Sequence, residues 1–461
     1  MIFSSNLFIF LFLPTICAVY FAFNKVLKNN PVVNNLVLLL SSLFFYLWTS
    51  GRYLYILIVS ITFNHLFAKI ISQNKNKKIW LFLGITFNLG ILFYFKYYNF
   101  FYQQLSLIKQ LPALNPIYLP AGISFITFIA ISYLIDIYQN QTPASFLNFS
   151  TFLSFFPHLI AGPIIKFQEI STTLKKRRID QQQFFDGIYR FSIGLGKKVI
   201  IADTLGQVVG KVFSLPNVEV TPTLAWTAAI CYTFQIFFDF SGYTDMAIGL
   251  AKFFSLNYPE NFNQPYLANS ITDFWQRWHL TLTRWFRQYL YIPLGGNRHG
   301  LARTCINIFI VFLLSGLWHG ANWTFIVWGV YYALLLIIER ILKNKFHFEP
   351  KNILSRVLTL LLIIIGWIIF RSPSLTYAIN FLKIMFIQPN FSSATSSYYT
   401  FRYYLPTNVA FYLFIALIMS FFTLPQPKNE TLKGIIAIII FIYAISFLSK
   451  NSFTPFIYFQ F

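Results

Sequence analysis

Long apolar segments separated by short polar connections dominate the pattern along the chain. Most of them approach the roughly 20 residues that a helix needs to cross a bilayer. We therefore predict an all-α, polytopic integral membrane protein with about 11–12 transmembrane or re-entrant helices. The apolar runs lie near 5–24, 33–49, 53–72, 79–101, 119–138, 149–165, 188–204, 223–250, 302–318, 322–341, 353–370, 408–424 and 433–449.

One run contains residues that interrupt a regular helix. The segment 155–163, Phe-Phe-Pro-His-Leu-Ile-Ala-Gly-Pro, has two prolines and one glycine. Proline removes a helical hydrogen bond and clashes with the preceding turn. The run 149–165 is therefore predicted to enter the membrane and return on the same side.

The composition is that of a membrane protein. Of 461 residues, 57% are hydrophobic, 21% are aromatic and only 10% are charged, whereas soluble domains carry about 25% charged residues. No soluble region stands out, so we expect a single membrane domain over residues 1–461. The three cysteines, Cys17, Cys231 and Cys305, are scattered. They form neither a disulfide framework nor a metal-ligand spacing, and we predict no metal and no bound cofactor.

The net charge is +22, from 35 basic and 13 acidic residues. Basic excess can indicate nucleic acid, but here the basic residues occupy short connections between apolar runs, so no nucleic-acid partner is predicted. The positive-inside rule places these connections in the cytoplasm, and 371–407 and the C-terminus outside. Such a basic rim attracts anionic lipid headgroups or a phosphate-bearing donor. The clusters are Lys25/Lys28, Lys75/Lys77/Lys78, Lys175/Lys176/Arg177/Arg178, Arg277 through Arg298, and Lys343/Lys345/Lys351.

A histidine stands out in the segment 315–320, Ser-Gly-Leu-Trp-His-Gly, between two long apolar runs. An ionisable side chain at membrane depth is costly and usually faces a polar cavity where it has a function. His319 is therefore the first candidate for catalysis, with Trp318 beside it. The alternative is a structural histidine, with its hydrogen bonds satisfied, at the tip of a helix hairpin.

Carboxylates are scarce, yet two of them fall within the apolar run 235–245. Asp239, Ser241, Tyr243 and Asp245 could form the polar wall of a membrane cavity. Alternatively, the two aspartates cap broken helices or pair with buried arginines. Both interpretations can hold together.

The segment 271–287 is rich in tryptophan and arginine. Trp275, Trp278, Leu282 and the pair Trp285/Phe286 recur at helical spacing, whereas the arginines fall off this stripe. The pattern predicts one amphipathic helix at the cytoplasmic interface, with Thr272 or Asp273 as N-cap. His279 lies beside the apolar stripe, 40 residues before His319. The arginines in question are Arg277, Arg284 and Arg287.

The next segment, 291–298, reads Tyr-Ile-Pro-Leu-Gly-Gly-Asn-Arg. It predicts a turn rich in backbone donors that suits a phosphate or pyrophosphate group, with Asn297 and Arg298 as candidate contacts. His65 and His158 are interpreted as structural, and His299 and His347 as solvated.

Known catalytic motifs are missing from the sequence. It has no His-x4-Asp, Gly-x-Ser-x-Gly, His-Glu-x-x-His, Walker or Gly-x-Gly-x-x-Gly motif. What remains is one or two histidines as acid–base groups, assisted by Asp, Ser, Tyr and Arg.

Several longer motifs occur together along the chain. They resemble the membrane-bound O-acyltransferase superfamily, specifically the bacterial branch that O-acetylates alginate or peptidoglycan. The resemblance runs nearly end to end and includes 94–100, 119–125, 133–136, 156–163, 197–203, 238–249, 260–262, 275–287, 289–298, 317–321, 366–371 and 455–461.

The resemblance implies a ring of tilted helices around a thinned centre, with a funnel reaching a buried histidine from each face. His319 matches the catalytic histidine of the superfamily, and His279 matches its second motif histidine. Substrate contacts are expected from the polar and aromatic residues already singled out. These are Asp239, Ser241, Tyr243, Asp245, Trp275, Arg277, Trp278, Asn297, Arg298 and Trp318.

The resulting hypothesis is an O-acetyltransferase of the bacterial cytoplasmic (inner) membrane. It takes acetyl from a cytosolic thioester, with acetyl-CoA expected, for esterification of a cell-envelope polysaccharide, peptidoglycan being favoured over an alginate-like polymer. A periplasmic or membrane-anchored partner O-acetyltransferase is expected to deliver the group. Alternatives are an acyltransferase of the same superfamily acting on a lipid or protein, and a transporter or flippase with a central histidine relay.

Overall fold

The protein is described here from a computed structural model, which covers residues 1–109, 111–112, 114–216, 219–347, 350–387, 401–422, 427–450 and 456–457. In this part of the chain all regular structure is helical, which confirms the predicted all-α class. The helices are α1 Leu13–Val26, α2 Pro31–Ser50, α3 Leu54–Gln73, α4 Lys77–Leu92, α5 Tyr98–Ser106, α6 Ile123–Tyr138, α7 Phe146–Ser154, α8 Phe156–Leu159, α9 Phe167–Lys175, α10 Gln181–Gly196, α11 Asp203–Phe213, α12 Pro222–Phe253, α13 Ile271–Trp275, α14 Leu280–Phe286, α15 Gly300–His319, α16 Trp323–Phe346, α17 Ile353–Arg371, α18 Leu375–Phe386, α19 Phe401–Tyr404, α20 Thr407–Phe421 and α21 Glu430–Lys450.

Within the described residues, seven helical stretches are long and apolar enough to cross a membrane. They confirm a multi-pass membrane protein, because each is 19 residues or longer and so falls within or above the range of lengths that span the hydrocarbon core. Shorter apolar helices include α6, α18 and α20. The seven stretches are Phe8–Val26, Pro31–Gln73, Lys77–Ser106, Gly300–His319, Trp323–Phe346, Ile353–Arg371 and Glu430–Ser449.

The predicted break in the run 149–165 is present. Helix α7 ends at Ser154, Phe155 leaves the helical region with ψ 116°, and α8 is only four residues long. Proline at the start of α8 is tolerated because its missing N–H would lack a helical partner there. After Leu159 the chain continues without regular structure to Lys166.

The chain forms two compact units that alternate along the sequence. Unit 1 comprises Met1–Gly194, Tyr243–Glu260 and Lys433–Phe453, and unit 2 comprises Leu195–Gly242, Asn261–Leu432 and Thr454–Phe461. The expectation of a single membrane domain stays a prediction.

Aromatic packing and polar clamps stabilise unit 1. Phe3, Phe8 and Phe45 are fully buried and in ring contact with one another. Between α3 and α4, the amides of Asn64 and Asn88 exchange hydrogen bonds of 2.7 and 3.1 Å. A buried amide pair satisfies its polar groups away from water, which fixes how these helices face each other.

One residue of the predicted basic rim lies in the interior of unit 1. Arg177 is 3% exposed and donates to the hydroxyl of Tyr20 and the amide oxygen of Asn35. Its neighbours Lys175, Lys176 and Arg178 remain exposed. Arg177 is therefore structural and was wrongly included in the rim.

Candidate active site

Unit 2 holds His319 as the last residue of α15, where α15 turns into α16. Gly320 follows in an extended conformation, and the side chain of Asn322 caps α16 by accepting a hydrogen bond from the N–H of Thr324. Asparagine is a favoured N-cap because it satisfies one of the unpaired donors at a helix start. His319 thus lies at the tip of a helix hairpin, as one of its two interpretations predicted.

Glycine contacts bring α15 and α16 together next to this histidine. A Cβ atom on Gly316 would lie 2.3 Å from the carbonyl oxygen of Phe325, and one on Gly329 would lie 2.4 Å from that of Phe312. Only glycine permits so close an approach of two helix backbones. The close packing fixes the last turn of α15, and with it the position of His319.

Aromatic rings enclose His319, which is 6% exposed. Its ring lies edge-on to three others, with centroid distances of 5.0 Å to Trp318, 4.9 Å to Trp328 and 5.3 Å to Phe370. The indole N–H of Trp328 is buried and has no hydrogen-bond partner among the described residues. A buried donor without a partner calls for an explanation, and a bound substrate is one.

His279 occupies a break in the chain rather than a helix interior. Its backbone is left-handed (φ 46°, ψ 55°) between α13, which ends at Trp275, and α14, which begins at Leu280. The single amphipathic helix predicted over 271–287 is therefore wrong, and so is its N-cap, because Ser270 caps α13. His279 is 1% exposed, so it lies inside the protein and not on an exposed helix face.

Asn261 explains why the chain breaks there. Its backbone oxygen accepts from Leu280 N–H at 2.9 Å, and its side-chain oxygen contacts Nδ1 of His279 at 3.1 Å. These long-range bonds replace the helical ones and outweigh the helical spacing of the tryptophans. Sequence reasoning missed Asn261 as a site residue, although it follows one of the scarce acidic residues.

Trp318 brings the two predicted histidines into one site. Its ring centroid lies 6.2 Å from that of His279 and 5.0 Å from that of His319. Phe240 packs edge-on against the other side of His279 at 4.7 Å. Two buried imidazoles and an indole therefore form a continuous group, although 40 residues separate the histidines in sequence.

The other tryptophans form the wall behind this group. Trp275 packs on Trp328 and Tyr332, at 5.6 and 5.0 Å between ring centroids. Trp278 is 1% exposed and packs on Trp367 at 4.8 Å. Among the described ring contacts, Trp275 and Trp278 pack on aromatic rings other than those of the two histidines, and their expected substrate contacts stay a prediction.

The two aspartates of the predicted polar wall belong to separate ion pairs. Asp239 forms an ion pair of 2.7 Å with the buried amine of Lys198, which also binds Asp203 at 2.6 Å. The second oxygen of Asp239 accepts from the backbone N–H of Ile457 at 2.9 Å. The pairing interpretation therefore holds with lysine in place of arginine. Helix α12 runs unbroken through this region, so the capping interpretation is wrong. Ser241 is buried on the same helix.

Tyr243 and Asp245 belong to unit 1. Arg190 binds Asp245 at 2.6 Å and Glu260 at 2.6 Å, which confirms the predicted arginine pair for this aspartate. Tyr243 is 2% exposed and stacks on Phe3 at 4.8 Å. Both residues have structural partners that account for their burial.

The turn at 291–298 uses its own backbone donors. The N–H groups of Gly295, Gly296 and Arg298 donate to carbonyl oxygens of Ile292, Tyr291 and Gly295, respectively. These three N–H groups are used within the turn and are not free to hold a phosphate; the phosphate site itself stays a prediction. Tyr291 donates to Asn297, and both Asn297 and Arg298 are exposed. A phosphate here would be bound by side chains.

Arg277 is only partly available for a substrate. Its guanidinium donates to Asp273 at 2.7 Å, and its side chain is 29% exposed. Arg284 and Arg287 are exposed. Among the described residues, no group of three or more histidine, cysteine or acidic side chains is arranged to hold a metal ion.

Comparison with known proteins identifies the family of the chain. The family model of the membrane-bound O-acyltransferases matches residues 75–376. The probable alginate O-acetylase AlgI of Pseudomonas putida is 38% identical over 498 aligned positions, which cover 100% of both chains. The chain belongs to the membrane-bound O-acyltransferase family. It is therefore an O-acyltransferase.

Two further relatives differ in what they modify. The peptidoglycan O-acetyltransferase of Helicobacter pylori is 40% identical over 84% of this chain and 80% of its own length. The teichoic acid D-alanyltransferase of Bacillus subtilis is 29% identical over 54% of this chain and 68% of its own. Both histidines lie inside the matched family region. In the C-terminal motif 455–461 the described residues are Phe456 and Ile457; the others lie outside the described part.

Proposed function

We propose that this acyltransferase moves acetyl from a cytosolic thioester, acetyl-CoA, across the cytoplasmic membrane for O-acetylation of a cell-envelope polysaccharide. The pairing of His279 and His319 around Trp318 is the structural observation that carries the proposal. It puts acid–base groups inside a membrane protein that is similar over most of its length to both alginate and peptidoglycan O-acetylases. Peptidoglycan is the favoured acceptor.

In the proposed reaction, neutral His319 takes the proton of an attacking hydroxyl. The oxygen forms a bond to the thioester carbonyl carbon, the carbon–sulfur bond breaks, and the proton passes from the imidazolium to the thiolate. A general base of this kind contributes about 10²–10⁴-fold. The indole N–H of Trp328, in ring contact with His319, is the proposed donor to the developing oxyanion.

The charged part of the donor is proposed to bind at the cytoplasmic basic connections. Arg284, Arg287 and Arg298 are exposed, and guanidinium groups suit phosphates. To test the sidedness, single cysteines replace Lys77 and Lys176 in a variant lacking Cys17, Cys231 and Cys305. Both should react with a membrane-impermeant maleimide only in inverted vesicles. Labelling in intact cells would move the donor site to the opposite face. A cysteine at Ser393, expected outside, lies beyond the described residues.

A partner transferase is proposed to complete the transfer. The longest expected outward segment, 371–407, is too short to hold a polymer strand, so a periplasmic or membrane-anchored O-acetyltransferase would receive the acetyl group. The purified protein in lipid vesicles receives acetyl-CoA and glycan, with and without periplasmic extract, and the His319→Ala protein serves as the matched control. Glycan ester should form only with extract and only with the wild-type histidine. Efficient glycan acetylation by the isolated chain would exclude the partner.

A further inference from the structure

Hydrogen bonds from the segment 261–263, most of them to Asn261, hold the chain around His279. The segment 261–263 runs beside 277–280, with Leu280 N–H donating to Asn261 O and Asn263 N–H donating to Arg277 O, each at 2.9 Å. These bonds maintain the left-handed backbone of His279, a conformation uncommon for a residue other than glycine. The position of the imidazole is therefore set by the segment 261–263, which contains Asn261.

The side chain of Asn261 also determines where the imidazole carries its proton. The backbone N–H of Thr281 can only donate, and it contacts Asn261 Oδ1 at 3.1 Å, so this atom is the carbonyl oxygen. A carbonyl oxygen can only accept. Nδ1 of His279, 3.1 Å from the same oxygen, must therefore be the protonated nitrogen. Thr281 Oγ1 also donates to Asn261 Oδ1, at 2.9 Å.

The other nitrogen of the ring is left with its lone pair. Nε2 of His279 is buried and has no hydrogen-bond partner among the described residues. In a neutral imidazole protonated at Nδ1, Nε2 can accept a hydrogen bond but cannot donate one. The nearby rings, Phe240 and Trp318, leave it in apolar surroundings.

We propose that Asn261 is a positioning residue that fixes the Nδ1–H tautomer of His279, so that His279 supplies a hydrogen-bond acceptor, and not an oxyanion donor, to the site. This division of roles rests on the acetyl transfer proposed above. A substrate O–H or N–H can bind at Nε2, whereas a carbonyl oxygen or a developing oxyanion is repelled by its lone pair. The oxyanion must then be stabilised by other groups, such as the indole N–H of Trp328.

The test reads the tautomer directly. Full-length protein with ¹⁵N-labelled histidine is reconstituted in lipid for solid-state NMR, and the His279 signals are identified by their loss in His279→Gln. We expect Nδ1 to be protonated and Nε2 to be unprotonated. An Nε2–H signal for His279 overturns the proposal. Since no turnover is measured, this result is independent of whether the protein transfers acetyl.

Two substitutions of Asn261 extend the test to activity. Asn261→Asp keeps an acceptor oxygen, so Nδ1 should stay protonated. Asn261→Leu removes the acceptor; Nε2–H should appear, and kcat should fall at least tenfold while KM for the thioester changes little. A Leu variant with the wild-type tautomer and kcat overturns the positioning role. If that variant does not fold, the wild-type spectrum and the Asp variant decide.

Discussion

Two buried histidines, one in each unit, differ in how their nitrogens are used. In unit 1, His158 is fully buried, with Nε2 2.8 Å from the carbonyl oxygen of Phe152 and Nδ1 2.6 Å from the hydroxyl of Tyr258. The carbonyl requires Nε2–H, so Tyr258 donates to Nδ1. In unit 2, Asn261 fixes Nδ1–H of His279 and Nε2 stays unpaired among the described residues. Both ring nitrogens of His158 are therefore hydrogen-bonded, whereas Nε2 of His279 can still bind a ligand.

An unpaired nitrogen alone does not indicate a functional site. His65 is also buried, its Nδ1 has no partner among the described residues, and its ring packs on those of Phe146 and Phe149. Among the described residues, no hydrogen bond of His65 fixes which nitrogen carries the proton. His279 differs because a bond fixes its tautomer and because Trp318 connects it to a second histidine. The fixed tautomer and the contact with Trp318 together, and not burial, distinguish His279 from His65.

The largest expected effect comes from removing the proposed base. His319→Ala should lower acetyl transfer by at least about 100-fold, because general-base catalysis supplies 10²–10⁴. Glycan ester content in cells and thioester turnover by the purified protein measure it. Membrane insertion and size-exclusion behaviour should match wild type, since His319 ends a helix whose packing rests on Gly316 and Gly329. Ester content at the wild-type level would remove His319 from the mechanism.

The same substitution, histidine to glutamine, made separately at His279 and at His158 gives the next largest effect. His279→Gln should reduce turnover by about tenfold or more and cost about 1 kcal/mol of stability, since one buried hydrogen bond, to Asn261, is lost. His158→Gln should leave turnover per folded molecule unchanged and cost about 1–3 kcal/mol, because buried partners lose their hydrogen bonds. Turnover per folded molecule and denaturation midpoint are measured on both proteins. Equal effects of the two substitutions on turnover would erase the distinction drawn here.

The smallest expected effect comes from a substitution next to His158, whose two ring nitrogens are both hydrogen-bonded. Tyr258→Phe removes the hydroxyl that donates to His158 while keeping the ring packing against Phe155. The free energy of unfolding should fall by about 1 kcal/mol, the usual value of one buried hydrogen bond, and turnover should not change. Tyr289→Phe, on a buried tyrosine of unit 2, provides a matched comparison for the loss of a hydroxyl. A tenfold loss of turnover in Tyr258→Phe would assign this pair to the reaction.

Local patterns in the sequence were sufficient to predict the helices and the hairpin. Apolar run length predicted the membrane helices, two prolines predicted the break after Ser154, and the flanking runs predicted His319 at a hairpin. These features depend on neighbours in sequence. The partners of the aspartates were predicted only in part. An arginine was predicted as the partner and is present at Asp245 as Arg190, whereas the partner of Asp239 is a lysine, Lys198.

The features that sequence reasoning missed depend on distant residues. The tryptophan spacing over 271–287 is helical, but hydrogen bonds from Asn261 hold His279 in a left-handed conformation that no local pattern encodes. Similarly, the turn at 291–298 has many donors in sequence, and only the folded backbone shows that those of Gly295, Gly296 and Arg298 are already used. A lysine within the apolar run 188–204 was the available signal for the buried ion pair of Asp239.

Because His319 is the last residue of α15, the length of this helix sets the distance that a donor bound at the start of α15 would have to span. This helix has 20 residues, and at about 1.5 Å per residue its ends are roughly 30 Å apart. Arg298 and Arg303 lie at one end and the histidine at the other. A donor whose phosphates bind those arginines can place its acetyl group beside His319 only on a long, thin, uncharged arm. A compact charged acetyl donor bound at Arg298 and Arg303 would leave its acetyl group tens of ångströms from His319, since the two ends of α15 are roughly 30 Å apart.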